Sequence, residues 1–233
     1  MIRKIDGAAH AWATGKLPRH IAIEGVIGVG KTTLAHALSV RLDGRTLLEV
    51  PGDNPFLERF YKDQSAWALP TQLSFLLQRT RQARELVQPG LFAKTTVTDF
   101  MVEKDRLFAE LTLSGDELNL YTQVYNEIMS GLPVPDLVVF LHADLQQLRA
   151  RIERRAIGYE QDIEDDYLLR LGQLYARFFA DYSAAPLIVV DTASLNFAHD
   201  GEAVEQLVEC ARAMNGGRRY LDARGWDDER VMF

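Results

Sequence analysis

The most constraining feature of the sequence is a glycine-rich segment, Gly25–Thr32, which reads GVIGVGKT. It matches the pattern G-x-x-x-x-G-K-[ST], in which glycine lets backbone amides turn inward around phosphate oxygens while the lysine supplies positive charge. An apolar run, Ile21–Glu24, precedes the segment, and leucines at every fourth position follow it. A strand, a glycine-rich loop and a helix in this order predict a P-loop that binds the phosphates of a nucleotide.

Six residues in and directly after this loop are expected to hold the nucleotide: Gly25, Gly28, Gly30, Lys31, Thr32 and Thr33. The Lys31 ammonium can neutralise the β- and γ-phosphates, and the Thr32 hydroxyl can ligate Mg²⁺. The helix that starts after the loop adds positive potential at its first turn. The segment therefore predicts a nucleoside triphosphate with Mg²⁺.

Short apolar runs alternate with longer segments of helical periodicity. The runs are Ile21–Glu24, Thr46–Val50, Thr95–Asp99, Asp136–His142 and Leu187–Asp191. Several are nearly continuous in Val, Ile and Leu, as strands covered on both faces must be. Strands that alternate with helices predict an α/β fold, here a P-loop-type three-layer α/β/α sandwich with a five-stranded parallel sheet.

The length of 233 residues favours one domain, 1–233. Its polar ends, 1–16 and 215–233, are expected to be loosely held. One predicted helix begins at Ser114, with Glu117 three residues on in a capping-box pattern. Another is long, begins near Leu69 and stops before Pro89–Gly90.

The net charge and the number of cysteines restrict which classes of binding partner and which cellular compartment fit this sequence. There are 33 acidic and 26 basic residues, a net charge of −7, whereas a duplex-binding protein normally carries a net basic face. Apolar runs such as Leu137–Leu141 are too short to span a bilayer, and no apolar stretch follows the basic residues near the start. With a single cysteine, an intrachain disulfide is impossible. We expect a cytoplasmic protein without nucleic-acid or membrane partners.

A P-loop does not by itself define the reaction. A GTPase would also carry an Asn-Lys-x-Asp run to read guanine, and the sequence has none. Ligands of parallel α/β sheets bind at the carboxyl ends of the strands, where Glu24, Glu49 and Asp99 are predicted to lie. Two carboxylates beside a triphosphate are costly unless they hold a metal or take a proton. This pattern favours a kinase for a small acceptor.

Several further motifs occur in one order between Ile21 and about Thr192. They are IAIEGVIGVGKTTLA, EVPGDNPFLERFY, TQLSFLLQRTRQ, TVTDFMVEKDRLFAELTL, LPVPDLVVFLHADLQQLRARIERR and YEQDIEDDYL. Together they resemble the deoxynucleoside kinase family, in particular its bacterial deoxyadenosine/deoxyguanosine kinases. The resemblance implies transfer of the ATP γ-phosphoryl group to the 5′-hydroxyl of a deoxynucleoside, purine preferred, in nucleotide salvage. It also implies a homodimer.

The resemblance assigns roles around the acceptor. Glu49 would be the general base near the 5′-hydroxyl. Asp99 would be tied to Mg²⁺, with Thr32, and to the reacting centre. Tyr61 and Glu160 would hydrogen-bond the sugar 3′-hydroxyl.

The resemblance also assigns base-reading to Gln72, Arg79 and Asp105, and closure over the phosphates to two lid arginines, Arg151 and Arg155. The spacing of Gln72 and Arg79, two helical turns, places them on one face with Phe75 and Leu76 between them. We expect Arg79 and Asp105 to form a charged pair at the far edge of the base pocket. Such a pair leaves little room for a 5-methyl group, so thymidine should be a poor substrate.

The sequence departs from the family in the lid. Where many relatives carry Arg-Gly-Arg, this chain has Arg155-Ala156-Ile157, so the second lid arginine and its hinge glycine are absent. Arg154 is a candidate replacement. Phe100 follows Asp99, where members like deoxycytidine kinase carry arginine; an aromatic residue there is typical of the bacterial purine-type members.

Two alternatives stay open at this point. A nucleoside monophosphate kinase of the thymidylate kinase type shares the P-loop. Such an enzyme must bind the phosphate of its acceptor, which needs an extra cation, and the carboxylate of Glu49 would repel that phosphate. A non-enzymatic nucleotide-binding regulator could keep the P-loop and would not need Glu49.

Overall fold

A computed structural model describes residues 17–86, 95–193, 195–214, 216–222 and 225–227 of the chain. These residues contain one seven-stranded sheet in the order β2-β3-β1-β4-β5-β6-β7. The strands are β1 (His20–Gly25), β2 (Arg45–Leu47), β3 (Thr96–Thr98), β4 (Leu137–His142), β5 (Leu187–Asp191), β6 (Arg218–Asp222) and β7 (Gly225–Asp227). The first six are mutually parallel, and β7 runs antiparallel to β6 at the edge.

Eight helices occur within the described ranges. They are α1 (Lys31–Arg41), α2 (Leu57–Lys62), α3 (Gln64–Leu86), α4 (Lys104–Thr112), α5 (Gly115–Met129), α6 (Leu145–Arg155), α7 (Asp165–Ala180) and α8 (Gly201–Ala213). Helices α1 and α8 contact each other, whereas α3, α4, α5 and α7 form a second group. In the part of the chain that the structure describes, no helix is both long and apolar enough to cross a membrane.

The central strands are covered on both faces. Five consecutive residues of β4, Leu137–Leu141, are buried, and neighbouring side chains of a strand point to opposite faces. On one face Phe140 stacks on Phe179 of α7, with ring centroids 4.4 Å apart, and also on Tyr175 at 6.0 Å. The predicted α/β class with a parallel sheet is thereby confirmed.

The predicted strand count of five is too low. All five predicted strands form, but Arg218–Asp222 adds a sixth that pairs with β5 from Leu187 to Val190, and β7 adds a seventh. Arg218–Asp222 lies in the segment that was expected to be loosely held, and here it forms a strand. Only Tyr220 and Leu221 of this strand are buried, so its apolar signal is too short to be recognised. Residues 1–16 and 228–233 lie outside the described residues, as do Pro89 and Gly90.

The predicted capping box of α5 is wrong, because its side-chain hydrogen bond does not form. Ser114 does occupy the N-cap position with extended backbone, but its side chain makes no capping bond. The reason lies in Gly115, whose φ of 54° turns the first helical residue away from regular helical geometry.

Candidate active site

The glycine-rich loop is packed tightly against β4 and α6. Gly25 has a φ of 147°, and a Cβ there would lie 2.4 Å from the carbonyl oxygen of Leu141. Gly28 has a φ of 84°, and its Cβ would lie 2.8 Å from Cγ1 of Ile152. Only glycine satisfies both the backbone conformation and the close approach. The loop ends at Gly30, the N-cap of α1, so it leads directly into a helix N-terminus, where unpaired amides favour an anion.

Lys31 folds back over the loop that precedes it. Its Nζ donates to the carbonyl oxygens of Gly25 at 2.8 Å and Val26 at 3.2 Å. Burial, assisted by the charge of Lys104, lowers the pKa of Lys31 to about 8. Three carboxylates oppose this shift: Glu24, Glu49 and Asp99. The ammonium thus sits at the loop mouth, where phosphate oxygens can replace the carbonyls as acceptors.

Three predicted site residues meet at the ends of β2 and β3. The Thr32 hydroxyl donates to Oδ2 of Asp99 at 2.6 Å, and the backbone amide of Glu49 donates to its Oδ1 at 2.8 Å. Asp99 is buried, whereas Thr33 is exposed. A hydroxyl oxygen from the first turn of α1 and a carboxylate oxygen from the end of β3 therefore lie side by side. This suits Mg²⁺, which takes one or two carboxylates with substrate phosphates and water.

Glu49 is charge-paired through both carboxylate oxygens. Nε of Arg79 donates to Oε1 at 2.5 Å, and Nζ of Lys104 donates to Oε2 at 3.2 Å. Burial would raise the pKa of Glu49, but the charges of Arg79 and Lys104 outweigh it and lower the pKa to about 2. Glu49 is consequently an anion at neutral pH.

The predicted pair of Arg79 and Asp105 is present. Nη1 of Arg79 donates to Oδ1 of Asp105, and the guanidinium lies 4.6 Å from the centroid of the Phe75 ring. The same guanidinium also bonds Glu49, and the place of the pair at the far edge of a base pocket stays a prediction. The planar fork of arginine has five N–H donors, enough to bridge two acids. Oδ2 of Asp105 is buried with no hydrogen-bond partner in the described structure.

The predicted helix face of α3 is confirmed. Gln72, Phe75, Leu76 and Arg79 are all buried on that helix. Nε2 of Gln72 donates to the Thr112 hydroxyl at 3.3 Å, while its Oε1 is buried and lacks a partner within the described ranges. Gln72 and Asp105 therefore both present an unused acceptor.

Tyr61 and Glu160 are brought to one region through an aromatic contact. The rings of Tyr61 and Tyr159 are nearly parallel, at 7°, with centroids 6.0 Å apart. Glu160 follows Tyr159, and its buried carboxylate accepts a hydrogen bond from Arg155. Burial raises the pKa of Tyr61 well above its usual value, helped by Tyr167 and Glu160. The phenol stays a neutral donor.

The two arginines predicted to form a lid have different partners. Arg151 donates to the carbonyl oxygen of Val29 at 3.0 Å, and to the hydroxyl and carbonyl oxygens of Thr192, both at 2.9 Å. It therefore braces the P-loop backbone. Arg155 pairs with Glu160, and Arg154 is exposed. Burial and the neighbouring Arg154 lower the pKa of Arg151.

The sequence did not identify Lys104 as a residue of the site, and it did not predict the hydrogen bonds that the Glu24 carboxylate accepts. Lys104 is 3% exposed and lies between Glu49 and Glu24. The Glu24 carboxylate accepts from the amide of Met101 at 2.7 Å and from the Tyr175 hydroxyl at 2.9 Å. Because lysines are almost never fully buried, residue type alone predicts an exposed side chain for Lys104. The sequence feature that could have pointed to the site is its position directly before Asp105, in a motif already singled out.

Known proteins resemble this chain in sequence. A sequence model of the deoxynucleoside kinase family matches residues 21–214. Deoxyguanosine kinase of Bacillus subtilis (strain 168) is 36% identical over 152 residues, covering 65% of this chain and 73% of the relative. Deoxyadenosine/deoxycytidine kinase of the same organism is 27% identical over 197 residues, covering 81% and 89%.

Solved structures show the same fold. Deoxyadenosine kinase from M. mycoides, solved with the products dCMP and a flexible dCDP, superposes with a TM-score of 0.72. It is 24% identical, and the match covers 82% of this chain and 99% of the other. The family model and the curated relatives define a kinase. The chain belongs to the deoxynucleoside kinase family.

Proposed function

We propose that this kinase transfers the γ-phosphoryl group of ATP to the 5′-hydroxyl of a deoxynucleoside, purines first, in nucleotide salvage. The observation that carries the proposal is the ionised Glu49 beside the Thr32–Asp99 contact at the P-loop mouth. A carboxylate there can accept a hydrogen bond from an alcohol and repels a phosphate. This favours a nucleoside over a nucleoside monophosphate as acceptor.

The donor side of the proposal uses the loop and α1. Backbone amides of the glycine-rich loop and Lys31 bind the ATP phosphates, and Mg²⁺ is held by the Thr32 hydroxyl and Asp99. When bound, Mg²⁺ neutralises charge on the phosphates. Arg151 braces the loop, and Arg155, with the exposed Arg154 as its neighbour, approaches the transferring group. Positioning and electrostatics supply most of the rate in such a site.

The acceptor side uses α2, α3 and α4. Glu49 accepts the proton of the 5′-hydroxyl, and Tyr61 with Glu160 bonds the 3′-hydroxyl. The unused acceptors on Gln72 and Asp105 favour a base that offers N–H donors from an amino group. Adenine, guanine and cytosine carry such a group and thymine does not. The relatives named for deoxyguanosine and deoxyadenosine support purines first.

The proposal includes a homodimer in the cytoplasm. The outer face of α5 carries a groove lined by Leu120, Gln123, Val124, Asn126, Glu127 and Ile128. Leu120 is 49% exposed there, and only Tyr121 of this helix is buried. An apolar stripe of this kind suits an identical stripe of a second copy about a twofold axis. Light scattering of the wild type and of Leu120→Glu, which should be monomeric, tests it.

The experiment for the reaction is an ATP-consumption assay against deoxynucleosides and their monophosphates. We expect turnover of deoxyadenosine, deoxyguanosine and deoxycytidine, poor turnover of thymidine, and none of the monophosphates. Lys31→Ala is the folded inactive control, because the Lys31 side chain donates to loop carbonyls and fills no core position. Turnover of a monophosphate alone would instead support the thymidylate kinase type of reaction. ATP binding without any acceptor would support a regulator.

A further inference from the structure

Lys104 is a buried cation that contacts two acids from different parts of the chain. Its side chain is 3% exposed at the start of α4. Nζ lies 3.2 Å from Oε2 of Glu49 and 3.8 Å from Oε1 of Glu24. Burying an ammonium is costly unless partners replace its water. Both acids therefore hold Lys104 in place.

The two acids do not depend on Lys104 equally. Glu24 also accepts hydrogen bonds from the amides of Met101 and Gly25 and from the Tyr175 hydroxyl. Its carboxylate stays satisfied without the lysine. The shorter contact of Lys104 is to Glu49.

The carboxylate of Glu49 is held at two points from two helices. Arg79 on α3 donates a hydrogen bond to Oε1, and Lys104 on α4 donates one to Oε2. The residue itself lies beyond the end of β2, where its amide bonds Asp99. With Arg79 alone, the carboxylate could rotate about Oε1, and Oε2 would lose its fixed direction. The plane of the carboxylate therefore depends on Lys104.

We propose that Lys104 is a positioning residue, which fixes Oε2 of Glu49 so that the carboxylate meets the acceptor hydroxyl in a productive orientation. The proposal rests on the proposed function, in which Glu49 takes the proton of that hydroxyl. Lys104 acts through Glu49 and does not itself touch the acceptor. Its loss should lower kcat, because orientation matters in the transition state, and should change KM for the deoxynucleoside much less.

The test compares Lys104→Met, Lys104→Arg and a matched control, Arg106→Met, on the same helix. Arg106 is exposed and pairs with Glu110 on the surface. We expect Lys104→Met to lower kcat by about 10- to 100-fold, the range for a misplaced reacting group. Lys104→Arg should restore most of it, and Arg106→Met should match the wild type.

A double variant separates positioning from general support of the fold. In a Glu49→Gln background, Lys104→Met should lower kcat by less than about twofold further, because residues that act as one unit are not additive. Thermal unfolding monitors the fold of each variant. If Lys104→Met does not fold, the neutral and polar Lys104→Gln takes its place in both comparisons.

Three results would overturn the proposal: equal losses with and without Glu49, a change confined to KM, or no rescue by arginine. These outcomes differ from failure of the proposed function. If the wild type and Arg106→Met do not phosphorylate deoxynucleosides, the proposed function is wrong. If both do so and Lys104→Met does so equally well, only the role of Lys104 is wrong.

Discussion

The Thr32 hydroxyl donates to Oδ2 of Asp99 at 2.6 Å and so joins the first turn of α1 to the end of β3. The two residues are 67 positions apart in the chain. Both oxygens are suited to Mg²⁺, and Oδ1 of Asp99 is already oriented by the amide of Glu49. The contact therefore joins the proposed Mg²⁺ ligands Thr32 and Asp99 to each other and, through Asp99, to the backbone of Glu49.

Removal of the Asp99 charge should raise the Mg²⁺ requirement. We expect Asp99→Asn to increase the Mg²⁺ concentration for half-maximal rate by about 10-fold or more, because the amide is a poor ligand for a hard cation. Thr32→Ser, which keeps the hydroxyl, should shift it little. Titration of Mg²⁺ at saturating ATP measures both. An unchanged Mg²⁺ dependence in Asp99→Asn would mean that the metal is held elsewhere.

Glu49→Gln should lower kcat by about 10²- to 10⁴-fold, the range for loss of a general base. The amide keeps the size of the side chain and can still accept from Arg79 or Lys104, so KM should change little. Steady-state kinetics with the preferred deoxynucleoside measures the effect, with the exposed Glu58→Gln as control. A rise in KM at constant kcat would show instead that Glu49 only binds the acceptor.

The pair of Arg79 and Asp105 should control both stability and base choice. Asp105→Ala leaves the buried guanidinium with Glu49 alone, and we expect a loss of about 3 kcal/mol in the free energy of unfolding. Adding Arg79→Met should recover stability and move the ranking of deoxynucleosides toward thymidine. Because Arg79 also bonds Glu49, the double variant should be slower with every substrate. The measurement that decides is therefore the order of the four deoxynucleosides by kcat/KM. An unaltered order in the double variant would mean that Arg79 and Asp105 do not contact the base.

Ala156 stands where the helix α6 ends in a left-handed turn, with φ of 53° and ψ of 34°. A Cβ in this region costs about 1–2 kcal/mol. Ala156→Gly should therefore raise the free energy of unfolding by up to about 1 kcal/mol, and Ala156→Val should lower it. Urea unfolding of the three proteins measures the difference. Stability that falls with glycine would contradict the assigned strain.

His20 and Glu103 line one small cavity and should give opposite pH dependences of stability. Burial lowers the pKa of His20 to about 4, although Asp136 opposes the shift, and burial raises the pKa of Glu103 to about 7. Between pH 6.5 and 4 the unfolded chain protonates His20 and the folded one does not, so acid destabilises the protein. Between pH 4.5 and 7 the unfolded chain ionises Glu103 first, so rising pH destabilises it.

The two slopes oppose each other from about pH 4.5 to 6.5. We therefore expect Glu103→Gln to be stabilised by rising pH in this window, and His20→Gln to be destabilised by it. The free energy of unfolding in urea, measured at several pH values, gives the slopes. Parallel curves for both variants and the wild type would show that neither group titrates differently on folding.

Local sequence patterns were sufficient to predict much of the fold and part of the candidate site. The loop Gly25–Thr32, the buried strands and the shared face of Gln72 and Arg79 follow from residue type and period, because each depends on neighbours within a few turns. The strand-end acids Glu49 and Asp99 could also be located, since all parallel strands present their carboxyl ends to one edge.

Only the tertiary structure decided which charges meet. Glu49 contacts Arg79 and Lys104, which are 30 and 55 positions away, and each contact depends on how α3 and α4 pack. The pairing of β6 with β5 is likewise long-range and leaves little trace in a short polar strand. A buried lysine looks like a surface lysine in a sequence, because its cost is offset only by partners that folding brings to it.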